Sequence, residues 1–159
     1  MRVQESLRHP PVIVDVTTPL HEVARLMNEA GVGAVLLTDR TAGPELVGIV
    51  TDRDIVLRGV ARRLRSDARV DAVMTPDPIT LDADDDIRRV HDTFGTARFR
   101  RIPVLREGRP IGVVALDDLV LAMSEDLVRI VRPVTAELAV PHQEPGLPMP
   151  VSTSPVAAS

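Results

Sequence analysis

The sequence predicts an α/β fold: two β-α-β-β-α units packed sheet to sheet with pseudo-twofold symmetry. Two observations carry this. Pro11-Val12-Ile13-Val14-Asp15, Leu20 and Val23 recur 67 positions later as Pro78-Ile79-Thr80-Leu81-Asp82, Ile87 and Val90. Gly48-Ile49-Val50-Thr51-Asp52-Arg53-Asp54 recurs 64 positions later as Gly112-Val113-Val114-Ala115-Leu116-Asp117-Asp118. The difference is absorbed in a loop, since Asp39 to Leu46 is longer than Arg106 to Pro110. Each copy is one supersecondary unit that needs its twin to bury its apolar face.

In the first unit, Val12 to Val14 reads as a short strand. Thr18 is placed to cap the following helix, with Pro19 in its first turn, where a missing N–H costs nothing. Leu20, Val23, Ala24, Leu26, Met27 and Ala30 share one helical face, and Gly31 ends the helix. Ala34 to Leu37 is an unbroken apolar run, as in a strand buried on both faces. Thr41 to Pro44 reads as a turn and Leu46 to Val50 as a strand. Thr51 or Asp52 caps a helix running through Val60. The second unit repeats this order with strands at Ile79 to Leu81, Ile102 to Leu105 and Pro110 to Val114. Asp84, Asp85 and Asp86 crowd a helix start, where the helix dipole favours negative charge. The last helix runs from about Asp117 to around Val131. The expected divisions are 1–8 (lead-in), 9–64 (first unit), 65–125 (linker and second unit), 126–140 (helical extension) and 141–159 (a disordered tail rich in Pro, Ser and Ala).

Composition limits the chemistry. Of 159 residues, 44% are hydrophobic and 26% charged, which suits a globular domain. Aromatics are 1%, two Phe alone, so base stacking on aromatic platforms is not the basis of any nucleic-acid binding. The net charge of −4 does not attract a polyanion. The absence of Cys excludes disulfides and thiolate chemistry and fits a cytoplasmic location. No signal peptide and no membrane-spanning apolar run are visible. His9, His21, His91 and His142 lack metal-ligand spacing, so no metal is expected. No P-loop, nucleophile elbow or Gly-x-Gly-x-x-Gly is present, so no catalytic residue is assigned and the chain does not read as an enzyme.

The order Pro-x-x-x-Asp, amphipathic helix, Gly31-Val32-Gly33-Ala34-Val35-Leu36-Leu37 and Leu46-Val47-Gly48-Ile49-Val50-Thr51-Asp52-Arg53-Asp54-Ile55 resembles the cystathionine-β-synthase (CBS) motif. The second copy resembles it through Val73-Met74-Thr75-Pro76, Arg100-Arg101-Ile102-Pro103-Val104 and Gly112 to Asp118. Together they are similar to a tandem CBS pair, a Bateman module, across roughly residues 9 to 125. The resemblance implies a stand-alone bacterial regulatory module binding an adenine nucleotide (AMP, ADP or ATP) between the motifs, with no cofactor required.

The element Gly-h-x-Thr/Ser-x-x-Asp, where h is apolar, carries that chemistry. The Asp accepts hydrogen bonds from both ribose hydroxyls, the Thr hydroxyl meets phosphate, and the helix-start N–H groups add an anion site. The resemblance places site A at Gly48, Ile49, Thr51 and Asp54, facing Ile79, Thr80, Arg100, Arg101, Ile102 and Pro103. Ile79, Ile102 and Pro103 would hold the base, and Arg100 or Arg101 the phosphates. Alternatively, Arg100 and Arg101 pair with Asp84–Asp86. Site B is the mirror: Val113, Ala115 and Asp118, behind Gly112, facing Val12, Ile13, Gly33, Ala34 and Leu36. It lacks the hydroxyl at Ala115 and the two arginines, replaced by Gly33 and Ala34. Each charge-assisted contact contributes roughly 1.5–3 kcal/mol, so site B is expected to be the weaker. The expected assembly is a homodimer through helical faces that include Ile55, Val56, Leu119, Val120 and Met123, acting on an unknown protein target. Neither nucleic acid nor membrane is an expected partner. The alternatives are an interaction module with empty sites, or a binder of S-adenosylmethionine or another adenosyl ligand.

Overall fold

The computed structural model describes residues 1–96 and 98–138. The predicted tail lies outside them. Contacts divide the chain after Ala122: Met1–Ala122 holds both sheets, and the second unit starts at Met123 within the last helix.

The first motif runs β1 (Ile13–Asp15), α1 (Leu20–Ala30), β2 (Ala34–Asp39), β3 (Gly43–Thr51) and α2 (Asp52–Asp54). Helical backbone continues from α2 as a π turn over Ile55–Gly59 and a 3-10 turn over Val60–Arg62. The second runs β5 (Leu81–Asp82), α3 (Arg88–Thr96), β6 (Arg101–Arg106), β7 (Arg109–Ala115) and α4 (Leu116–Leu138). A two-residue strand, β4 (Thr75–Pro76), joins the first sheet, giving order β1-β2-β3-β4, while β5-β6-β7 form the second.

The registers repeat as the sequence does. β1 pairs parallel to β2, with Val14 opposite Leu37, and β5 pairs parallel to β6, with Leu81 opposite Val104. β2 pairs antiparallel to β3 with Ala34 opposite Thr51, and β6 to β7 with Arg101 opposite Ala115. A helical crossover connects each parallel pair. The spacing difference sits where the sequence places it. β6 and β7 join through Glu107 and Gly108, both at positive φ (51° and 78°), the conformation of a tight two-residue hairpin. β2 and β3 join through a longer turn in which the Asp39 carboxylate accepts from the Thr41 amide and hydroxyl.

Each motif has its own core. Val14, Val16, Val23, Val35, Leu37 and Val50 lie in the first; Leu81, Ala83, Val90, Ile102, Val104 and Val114 hold the equivalent places in the second. Ala34, Leu36 and Ile49, with Leu46 and Val113 packed against them, form a third cluster joining β2 and β3 to β7.

The cores are closed crosswise. A 3-10 turn at Val3–Ser6 delivers fully buried Val3 to the second core, and one at Val70–Ala72 delivers fully buried Val70 to the first. The backbone bonds match: Val3 N–H donates to Asp85 and Gln4 N–H to Ala83, as Val70 N–H donates to Thr18 and Asp71 N–H to Val16. Each motif is thus completed by the segment that precedes the other motif's first strand.

Two local expectations change. The cap position of α1 is Pro19, not Thr18, and no side chain caps it. The Leu20 and His21 amides instead donate to the Ala68 and Ser66 carbonyls, so the linker satisfies the groups that a cap would serve. Asp84 stands before α3, paired with Arg2, while Asp85 and Asp86 pair with Arg89 and Arg88.

Candidate functional site

The capping box at Thr51 builds the first wall of the site. The Thr51 hydroxyl accepts from the Asp54 amide at 3.2 Å, and the Asp54 Oδ2 accepts from the Thr51 amide at 2.9 Å and hydroxyl at 2.7 Å. Arg58, one turn later, places its Nε 3.5 Å from the Asp54 Oδ1 and donates through Nη1 to the Val73 and Met74 carbonyls and the Thr75 hydroxyl. These bonds fix the carboxylate, with Thr51 on Oδ2 and Arg58 beside Oδ1.

The exposed amides expected at this helix start are already used. The Asp52 amide donates to the Gly33 carbonyl, that of Arg53 to the Asp52 carboxylate and that of Asp54 to Thr51. An anion here therefore meets guanidinium groups rather than free backbone N–H.

Thr51 and Asp54 face a cavity of about 920 Å³. Of the residues predicted for site A, it gathers Ile49, Thr51, Asp54, Ile79, Arg100 and Arg101. Gly48, Thr80, Ile102 and Pro103 do not line it. Gly48 is buried beneath the wall, opposite Pro76 of β4. Ile102 belongs to the second core and Pro103 is likewise fully buried, because β6 presents three successive residues to packed surroundings. The lining adds Arg53, Arg58, Arg98, Phe99, Thr75, Asp77, Pro78, Asp52 and Asp117. Five arginines thus face four aspartates around the cavity, with Ile79, Pro78 and Phe99 as its apolar side. Arg58 was legible in principle, four residues after Asp54 on a helical turn. Arg98 and Phe99 immediately precede the arginine pair. Among the described residues, no ion pair engages the side chains of Arg98, Arg100 or Arg101, and Asp84–Asp86 take other partners.

A second cavity of about 210 Å³ gathers Val12, Gly33, Ala34, Val113, Ala115 and Asp118 from predicted site B. Ile13 is exposed and Leu36 fully buried, and neither lines it. This cavity is the counterpart of the first. Asp118 stands for Asp54, Ala115 for Thr51, Val113 for Ile49, Val12 for Ile79, Val32 for Phe99 and Gly33 for Arg100. It is not stripped of positive charge, as the sequence led us to expect. Arg8 enters from the lead-in, where the first cavity has Thr75, and Arg101 reaches in from β6. Arg101 and Asp117 line both cavities.

Gly33 explains that reach. A Cβ at position 33 would stand 2.5 Å from the Arg101 Nη2, 3.2 Å from its Cζ and 3.2 Å from the Asp52 Oδ2. The absence of a side chain admits the guanidinium.

Among the described residues there is no cluster of three or more His, Asp or Glu suited to a metal, and no helix is long and apolar enough to cross a membrane.

This geometry has known relatives. The family model described as "CBS domain" matches residues 3–60 and 70–125. The uncharacterized protein YlbB of Bacillus subtilis is 38% identical over 103 residues, covering 65% of this chain and 69% of that protein. The CBS domain-containing protein CBSCBSPB5 of Arabidopsis thaliana is 34% identical over 119 residues; 74% of this chain is aligned, but only 21% of that longer protein. Among solved structures, the CBS domain protein PAE2072 from Pyrobaculum aerophilum, complexed with AMP, superposes with a TM-score of 0.68 at 30% identity, over 75% of this chain and 90% of that one. Two family matches, each starting at the segment that closes the opposite core, agree with the doubled architecture, and the chain belongs to the CBS-domain family, with a pair of CBS motifs.

Proposed function

We propose that the chain is a regulatory module that takes an adenine nucleotide (AMP, ADP or ATP) in the larger cavity and signals by a conformational shift to a protein target. One observation carries the reading: the Asp54 carboxylate shares one cavity with the side chains of Arg98, Arg100 and Arg101, which form no ion pair among the described residues. Asp54 suits a pair of ribose hydroxyls, the arginines suit phosphate, and Ile79, Pro78 and Phe99 suit the base. The AMP complex of PAE2072 supports the nucleotide class. The excess of arginine favours a phosphorylated ligand over the sulfonium cation of S-adenosylmethionine. Binding would stabilise one arrangement of the motifs by the ligand's differential affinity for it.

Isothermal titration with AMP, ADP, ATP and S-adenosylmethionine tests this, beside Asp54→Ala and Asp118→Ala. The expected result is a dominant site that is lost in Asp54→Ala and kept in Asp118→Ala. Two equal sites would refute the asymmetry. No heat with any ligand would leave an interaction module with empty sites.

The same reading includes a homodimer. Val56, Leu57 and Val60 beyond α2, and Val120 and Met123 on α4, are exposed apolar residues. Ile55 and Leu119 are partly buried against the first and second cores and offer less surface to it.

A further inference from the structure

We infer that Arg101 is a shared cation that couples the two cavities, so that an anion held in one weakens binding of an anion in the other. The inference rests on the nucleotide reading for its ligand, but not for its geometry. Arg101 lines both cavities, and its Nη2 lies over Gly33, within 2.5 Å of where a Cβ would be. Gly33 lines only the smaller cavity. Its pseudosymmetric counterpart is Arg100, so the sequence asymmetry itself creates the opening through which Arg101 crosses. One guanidinium cannot close on phosphate in both places at once. The larger cavity's apparent affinity is reduced by the fraction of time that Arg101 spends over Gly33. Linkage makes the penalty equal in both directions.

A double-mutant cycle tests this with ATP as the probe, titrated into the unsubstituted chain, Gly33→Ala, Arg101→Gln and the double variant. A methyl group at position 33 meets only side-chain ends, so it displaces the guanidinium without displacing backbone. Gly33→Ala is expected to tighten ATP binding about threefold or more, although residue 33 lies outside the cavity being read. Arg101→Gln is expected to weaken it by about tenfold to a hundredfold, and Gly33→Ala to add nothing in that background. Arg101→Lys, which keeps the charge but shortens its reach, should also erase the effect of Gly33→Ala. Inorganic pyrophosphate is titrated in parallel because it needs only charge. If ATP gives no heat but pyrophosphate repeats the cycle, the nucleotide reading fails and the shared cation stands. An unchanged affinity in Gly33→Ala, an equal change with and without Arg101, or silence of both anions overturns the coupling.

Discussion

Asp54 and Asp118 occupy equivalent positions, and their neighbours set them apart. Thr51 holds one edge of Asp54 and Arg58 stands at the other, whereas Ala115 has no hydroxyl to offer Asp118. A different carboxylate gives the clearest pH dependence. Asp15 accepts from the Thr17 hydroxyl and amide and from the Arg40 amide, bonds that hold its carboxyl well below the usual carboxylate range. Its folded-state pKa is depressed, so its contribution to stability is present above the unfolded value, near 4, and is lost as pH falls. Thermal melts between pH 7 and pH 2.5 should show a shallower acid decline in Thr17→Val than in the unsubstituted chain. Equal declines would mean that Thr17 does not control Asp15. The resemblance pointed to Thr51, Asp54, Arg100 and Arg101, which occupy fixed places in its pattern, and the structure brings these four to one cavity. It misplaced Ile102 and Pro103, because adjacent strand residues do not alternate when both faces of β6 are covered.

The elements were read well where periodicity is strong and less well where tertiary contacts take over a local role. The β2 run matches its apolar pattern, and α1 buries Leu20, Val23 and Met27 and half-buries Leu26, whereas Ala24 and Ala30 of the predicted face are exposed. The start of α1 does not follow a capping rule, because the Ala68 and Ser66 carbonyls do the work of a cap. No local signal reports that arrangement. The 3-10 turn at Val3–Ser6 is the sharpest case: a short segment that looks like a lead-in is part of the distant second core. Truncation there should behave as a core mutation. Val3→Ala is expected to cost about 2 kcal/mol, similar to Val70→Ala, by denaturant unfolding. A cost below about 0.5 kcal/mol would show that the turn is dispensable.

For the whole molecule, doubling decides the form. Two sheets meet through Ala34, Leu36, Ile49 and Val113, and the cavities lie as counterparts on the walls built by β3 with α2 and by β7 with α4. The repeat made that plan legible; the difference in cavity size, about 920 against 210 Å³, was not, nor was the entry of Arg8 and Arg101 into the smaller one. The exposed apolar residues bear on assembly at this scale. Sedimentation velocity is expected to give twice the chain mass of 17.3 kDa, and Leu57→Glu combined with Val120→Glu to give the single chain. A single-chain mass for the unsubstituted protein would remove the dimer.

The crosswise closure by Val3 and Val70 reaches beyond stability. A chain carrying one motif would hold a closing segment that serves the other motif's core instead of its own. It could complete itself only by trading that segment with another molecule, as in domain swapping. A fused pair makes the trade internal and independent of concentration. Two motifs are then the smallest unit in which both cores close within one chain, and a cut at the linker separates halves that each carry the other's missing piece.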